Sequence, residues 1–153
     1  MAGHIPWRKV DLWLQAHRSI WLATTRPDRR PHAAPVWYVW DGAGTAKRLY
    51  FLTGRGTQKA RNLARELWVV AHLLDGDDTL ILEGPVAIVT DPDERRRVAT
   101  AYAEKYVDPR SGVRATIDNP EDSLYRLDVQ KVMVWEYGVV ATRTDWTFER
   151  PVS

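Results

Sequence analysis

Apolar and polar positions alternate along this chain in two rhythms, and the switches between them predict its elements. From Trp7 to His17 the spacing is three and four: Trp7, Val10 and Leu14 share one face with Trp13 beside it, and Pro6 is acceptable at the start. That is an amphipathic helix. Ile20 to Thr25 then alternates as a strand, and Arg26-Pro27-Asp28-Arg29-Arg30-Pro31 ends it with a turn. His32 to Trp40 resumes as a strand, Asp41-Gly42 turns the chain, and Arg48 to Thr53 follows the small, polar stretch Ala43 to Lys47. These three strands predict an antiparallel meander.

A second helix is expected from about Thr57 to Glu66, and a fourth strand from Leu67 to Leu74. Asp75-Gly76-Asp77-Asp78 reads as a tight turn into a long strand, Thr79 to Val89, which Gly84-Pro85 is expected to bend or to place at an edge. Asp91 then caps a third helix, with Pro92 in its first turn and Asp93 and Glu94 favourable to its dipole. Val98, Ala101, Tyr102 and Tyr106 give it a buried stripe. Val107 to Asp122, carrying Pro109, Gly112, Asn119 and Pro120, reads as an irregular connection. Leu124 to Val129 and Lys131 to Tyr137 read as strands, or as one strand with a bulge, and Val139 to Thr142 with Asp145 to Phe148 as a final hairpin half. Six or seven strands with three helices between them favour a mainly β antiparallel barrel with helical additions, one domain over residues 1–153.

Composition narrows the chemistry by exclusion. There is no cysteine, so disulfides, thiolate metal sites and thiol nucleophiles drop out. The four histidines, His4, His17, His32 and His72, lack metal-ligand spacing, and no G-x-S-x-G elbow occurs, so no metal is expected. Asp77-Asp78 is explained by a hairpin turn, and Glu83 is a lone carboxylate. A net charge of +2, with Arg95-Arg96-Arg97 set among acidic neighbours, argues against a nucleic-acid partner. No apolar run approaches the ~20 residues of a membrane helix, and the N-terminus has no signal-peptide core. A cytoplasmic protein without membrane partners is the expectation. Eight tryptophans against two phenylalanines stand out, and suit a packed barrel or a surface that covers a planar ligand. A chain without its own catalytic constellation fits a cofactor that carries the chemistry.

Tyr50 to Leu63 is where such a cofactor would be held. An aromatic strand runs through Gly54-Arg55-Gly56 into a helix that Thr57 can cap, leaving the amides of Gln58, Lys59 and Ala60 without intrahelical partners. Free amides and the positive end of a helix dipole favour an anion, and Arg55, Lys59 and Arg61 add three cations. Neither familiar phosphate motif applies. The P-loop requires Gly-Lys-Ser/Thr, whereas Gln58 precedes Lys59 and Ala60 follows it; the dinucleotide pattern requires three glycines, and only two are present. Two readings stand on spacing alone: solvated charges beside a turn, or a phosphate cradle. Lys59 at the second helical position opposes the dipole, which an anion would offset.

An ordered series of motifs carries a resemblance over nearly the whole chain, from Trp13 to Phe148. They are Arg30-Pro31-His32-Ala33-Ala34-Pro35-Val36-Trp37-Tyr38, Leu49-Tyr50-Phe51-Leu52-Thr53, Lys59-Ala60-Arg61-Asn62-Leu63, Asp75-Gly76-Asp77-Asp78, Glu83-Gly84 and Ala101-Tyr102-Ala103-Glu104-Lys105-Tyr106. The sequence resembles the flavin-binding split β-barrel superfamily that includes pyridoxamine 5'-phosphate oxidase, and within it the B-type reductases that depend on the deazaflavin coenzyme F420. The resemblance implies a homodimer with cofactor sites at the subunit interface. It implies Lys59 and Arg61 on the cofactor phosphate, Asn62 supporting the turn, and Thr53, Arg55 and Thr57 completing the cradle. Pro35, Val36, Trp37 and Tyr38 would lie along the ring, although strand alternation lets only one of Trp37 and Tyr38 face it. Trp135 and Trp146 become candidates for closing the partner's site. One departure weakens a contact from that region: relatives often carry Thr, Arg and Trp consecutively there, whereas Thr144-Asp145 separates Arg143 from Trp146.

The expected function is therefore hydride transfer from reduced F420 to a small unsaturated organic substrate. FMN is the alternative cofactor, in an oxidase of the pyridoxamine phosphate type or a flavin reductase. A non-catalytic carrier of a flavin, F420 or haem is the alternative from another class. The other tryptophans are expected in the core, and Lys105→Ala, in the third helix, is expected to have little effect on cofactor binding and to serve as a charge-matched control for Lys59→Ala.

Overall fold

Sheet closure follows from the length and partner change of one central strand. In the computed structural model, which describes residues 4–73, 78–136 and 139–149, the elements run in this order. They are α1 (Trp7–Ala16), β1 (Ser19–Thr25), β2 (Pro31–Asp41), β3 (Arg48–Gly54), α2 (Gln58–Leu63) and β4 (Trp68–Leu73), then β5 (Thr79–Ile88), α3 (Pro92–Lys105), β6 (Asp122–Asp128), β7 (Lys131–Glu136) and β8 (Val139–Thr147). Six strands close a ring in the order β1-β2-β3-β6-β5-β4 and back to β1, with β7 and β8 extending the sheet from β5. All these pairings are antiparallel.

β5 makes closure possible by serving three neighbours. It pairs β4 through Leu80–Pro85, β7 through Thr79–Glu83 and β6 through Val86–Ile88. Gly84-Pro85 marks the change of partner from β7 to β6. The expected interruption is therefore corrected: the strand is unbroken and central, not an edge. Gly84 is needed because a methyl at its Cα would be driven into the Asp128 carbonyl oxygen. Gly84→Ala is expected to cost about 1–3 kcal/mol through overpacking, read as a lower denaturation midpoint. An unchanged midpoint would show that β6 yields freely at Asp128.

Inward-facing positions fill the barrel. Leu22, Leu49, Phe51, Leu80, Leu82, Leu127, Val132 and Val134 are fully buried in one cluster, and Val10 and Leu14 of α1 complete it from one end. The Tyr38 hydroxyl donates to the Leu14 carbonyl at 2.6 Å, and Trp40 Nε1 donates to Asp11 at 2.7 Å, tying α1 to β2. A smaller cluster lies under α3: Val98, Tyr102 and Tyr106 pack on Val39, Tyr50 and Leu124. Asp91 caps α3 by accepting from the Glu94 amide at 2.8 Å, as its sequence predicts.

Two readings differ from expectation and a third agrees with it. α2 ends at Leu63 because the Asn62 carbonyl accepts from the Arg65 and Glu66 amides and closes the last turn. β8 is one strand rather than two pieces, with the register shift lying between Val134 and Glu136 of β7, so eight strands stand among the described residues. The 107–121 connection is irregular, with one bridge between Val107 and Arg114. Leu74 to Asp77 and Tyr137 lie outside the described residues. Among the described residues, no helix is long and apolar enough to cross a membrane.

Candidate cofactor site

A groove of about 420 Å³ opens where β2, β3, the start of α2, α3 and the 107–121 connection meet. β2 sends Pro35 and Trp37 to it, β3 sends Leu52 and Thr53, and α2 sends Lys59 with its capping residue Thr57. Tyr102, Ala115, Thr116 and Asp122 form the opposite wall. Its size suits a cofactor-scale ligand.

The polar end is built by capping. Thr57 Oγ1 donates to the Gly54 carbonyl at 2.8 Å, accepts from the Ala60 amide at 3.2 Å and lies 3.0 Å from the Thr53 hydroxyl. Thr57 therefore satisfies Ala60, and among the described residues the free amides are Gln58 and Lys59, two rather than three. Among the described residues the Lys59 ammonium meets no carboxylate within ion-pair distance. A half-buried cation without an acidic partner, beside two free amides, is complementary to a phosphate. His32 lies at this end with its Nδ1 enclosed and unpartnered. Burial, with the charges of Arg26 and Lys59, holds its pKa below the ordinary value, so at neutral pH it adds no further positive charge.

The flat end is built by alternation. Trp37 points outward at 49 % exposure, whereas Tyr38 is fully buried. Trp37 stacks on Tyr106 with ring centres 4.6 Å apart and planes within 3°. The Tyr106 hydroxyl in turn accepts from the Tyr38 amide at 2.8 Å and donates to the Arg18 carbonyl at 2.6 Å, so the stack is pinned to β1 and β2. One broad aromatic face thus stands fixed at the groove's rim.

The groove brings together Pro35, Val36, Trp37, Thr53, Thr57 and Lys59, with the Val36 side chain turned into the core. Four expected residues lie elsewhere. Tyr38 is a core residue, its hydroxyl committed to Leu14. Arg55 faces the next depression with Arg95 and Asn119, and its Nε reaches Ser123 at 3.4 Å. Arg61 is exposed and folds back on Gly56 and Gln58, donating at 2.7 and 2.9 Å. Asn62 is fully buried, donates to the Thr24 hydroxyl at 2.8 Å and accepts from Gln58 at 2.7 Å. It anchors α2 on β1 and thereby aims the helix start.

Tyr102, Tyr106, Thr116 and Asp122 went unassigned to the site in the sequence. The aromatic stripe of α3 was the signal for the first two. The other two come from an irregular connection and a strand start, where no periodicity speaks. Tyr102 stays a neutral phenol because burial, then Tyr106 and Asp122, push its pKa up. Among the described residues the Lys105 ammonium is enclosed without a hydrogen-bond partner, 3.7 Å from the Tyr38 ring centre. Burial and the nearby Arg18 lower its pKa to about 8. Trp146 packs within its own chain on Trp7 at 5.3 Å and His4 at 5.8 Å. Among the described residues no cluster of histidine and carboxylate side chains is placed to hold a metal.

Comparison with known proteins sets the class, an oxidoreductase of the flavin- or deazaflavin-binding kind. The chain belongs to the pyridoxamine 5'-phosphate oxidase family, whose sequence profile matches residues 7–136. An F420H2-dependent biliverdin reductase of Mycobacterium tuberculosis is 34% identical over 96 residues, which is 63% of this chain and 69% of that protein. A conserved hypothetical protein of Mycobacterium tuberculosis superposes with a TM-score of 0.70 at 23% identity, covering 89% of this chain and 88% of the other. An F420 reductase does so with a TM-score of 0.57 at 23% identity, covering 80% and 94%. At those identities the two structures establish the fold alone.

Proposed function

We propose that this chain is an F420H2-dependent reductase, active as a homodimer, that transfers hydride from the reduced deazaflavin to an unsaturated organic substrate. The observation that carries this reading is the arrangement of the groove: an unpaired Lys59 with two free amides at one end, and the fixed Trp37 face at the other. The identity to a relative named for F420H2 supports the choice of deazaflavin over FMN. Bound F420H2 supplies the hydride. Lys59 and the Gln58 and Lys59 amides hold the phosphate, Thr53 and Thr57 fix the turn, and Pro35 and Trp37 position the ring. Arg55 and Arg61, directed elsewhere in the single chain, act at most on distal parts of the cofactor.

The dimer reading rests on an uncovered sheet face. Strand register sets Pro35, Trp21, His72, Ile81 and Met133 side by side across five strands. Trp21 is 46 % exposed and lies parallel to His72. Trp37 and Trp135 point to the same face, so a second copy seated there reaches the open groove. Tryptophans expected in the core are thus reassigned: Trp21 and Trp68 are exposed. Trp21→Glu is expected to convert the dimer to a monomer in light scattering and to weaken cofactor binding. A wild-type monomer, or a variant that stays dimeric, would refute this interface.

Turnover tests the reaction itself. Anaerobic mixing of the protein and F420H2 with biliverdin, menadione and cyclohexenone is expected to oxidise the cofactor with at least one acceptor. No oxidation with any acceptor, despite tight F420 binding, would favour a carrier role.

A further inference from the structure

Beside the cofactor groove lies a second depression of about 280 Å³, lined by Arg18, Trp37, Tyr106, Asp108, Val113 and Arg114 among others. The two share Trp37 and Ala115 as a common rim. The two depressions are therefore neighbours across that rim.

Its charges are arranged for an anion. The Arg18 guanidinium carbon is 5.7 Å from the Trp37 ring centre and 5.2 Å from that of Tyr106. Since those rings are parallel and 4.6 Å apart, a cation over the outer face of Trp37 would be much farther from Tyr106. Arg18 therefore sits beside the stack and leaves the outer face of Trp37 open. Tyr106 holds the Arg18 backbone through its hydroxyl, which anchors the base of this side chain beside the stack. Across the depression, Arg114 Nη1 donates to the Ala103 carbonyl at 3.1 Å, which orients the guanidinium and leaves its other donors free. Among the described residues neither arginine is paired with a carboxylate. The one acidic residue in the lining, Asp108, turns its Oδ1 to the Arg110 and Ser111 amides at 2.7 and 2.9 Å. Two orienting cations beside the apolar Val113 together match a molecule that ends in a carboxylate.

We infer that this depression is the subsite for the acidic arm of a carboxylate-bearing substrate, with Arg18 and Arg114 as the residues that determine specificity. Calling the ligand a substrate rests on the reductase reading; the anion preference does not. Coumarin-3-carboxylate and its ethyl ester form a matched probe pair, each a conjugated alkene with and without the charge. Affinities are measured by fluorescence on the full-length protein, bare and loaded with F420. The acid is expected to bind about tenfold tighter than the ester, and Arg18→Ala and Arg114→Ala each to remove most of that preference. Ester affinity and F420 affinity are expected to stay unchanged in both variants, which shows them folded. Equal binding of acid and ester, no binding of the acid, or a preference that survives both substitutions would overturn the inference. If F420 does not bind while the acid preference holds and depends on both arginines, the reductase reading falls and the subsite stands.

Discussion

Lys59→Ala is expected to weaken F420 binding about 10- to 100-fold while leaving the denaturation midpoint within about 0.5 kcal/mol of wild type. The magnitude is that of one charge-assisted hydrogen bond to phosphate, about 1.5–3 kcal/mol. The sparing of stability follows from its surroundings. Lys59 meets no carboxylate among the described residues, and a cation in the first turn opposes the helix dipole, so its removal deprives the fold of little. Lys105→Ala does not serve as the charge-matched control, because that ammonium is enclosed against Tyr38. Arg8, exposed on α1, does serve. Unchanged F420 affinity in Lys59→Ala, titrated beside Arg8→Ala, would remove the phosphate from the start of α2.

The second large effect falls on the fold. Glu94→Ala is expected to destabilise the protein by about 3 kcal/mol at pH 7, measured by urea denaturation. Glu94 is buried, accepts from the Tyr50 hydroxyl at 2.8 Å, and takes both 3.0 Å bonds from Arg126 Nη1. Arg48 stands 4.0 Å away. These contacts pin α3 across β3 and β6, and α3 in turn carries Tyr102 and Tyr106 to the site. Removing the carboxylate leaves Tyr50 and part of Arg126 without partners, although Arg126 and Arg48 both keep Asp128. Burial alone would raise the Glu94 pKa; the bonds from Tyr50 and Arg126, with the charges of Arg126 and Arg48, outweigh it and hold the value below the usual one. A depressed folded pKa gives stability that is complete above the unfolded value, about 4.3, and is lost as pH falls through the folded one. The wild-type and Glu94→Ala stabilities should therefore converge below about pH 4. A constant gap down to pH 3 would assign the loss to packing instead.

The architecture was legible because the buried rhythm is strict. Ile20, Leu22 and Thr24 alternate inward on β1, as do Val36 and Tyr38 on β2, and the Asp91 and Thr57 caps stand where their sequences put them. What sequence did not yield was tertiary in origin. Gly84-Pro85 looked like a break because the approach of Asp128, which requires the glycine, comes from a strand 44 positions away in numbering. At the site, alternation allowed one of Trp37 and Tyr38 to face outward but gave no reason to choose. Only the contact between Tyr38 and α1 decides it. Arg55, Lys59 and Arg61 formed a credible trio as counted charges, yet their backbone directions differ and Lys59 alone lines the groove. Lys105 was the avoidable error, since it follows Tyr102 by three and so falls on the buried stripe of α3.

Cofactor choice tests the account most directly, and a titration of the purified protein with F420 and with FMN, in parallel, reads it. The groove and its relatives predict saturable F420 binding at submicromolar Kd, at least about tenfold tighter than FMN, and lost on Lys59→Ala. Tight FMN binding with negligible affinity for F420 would contradict it.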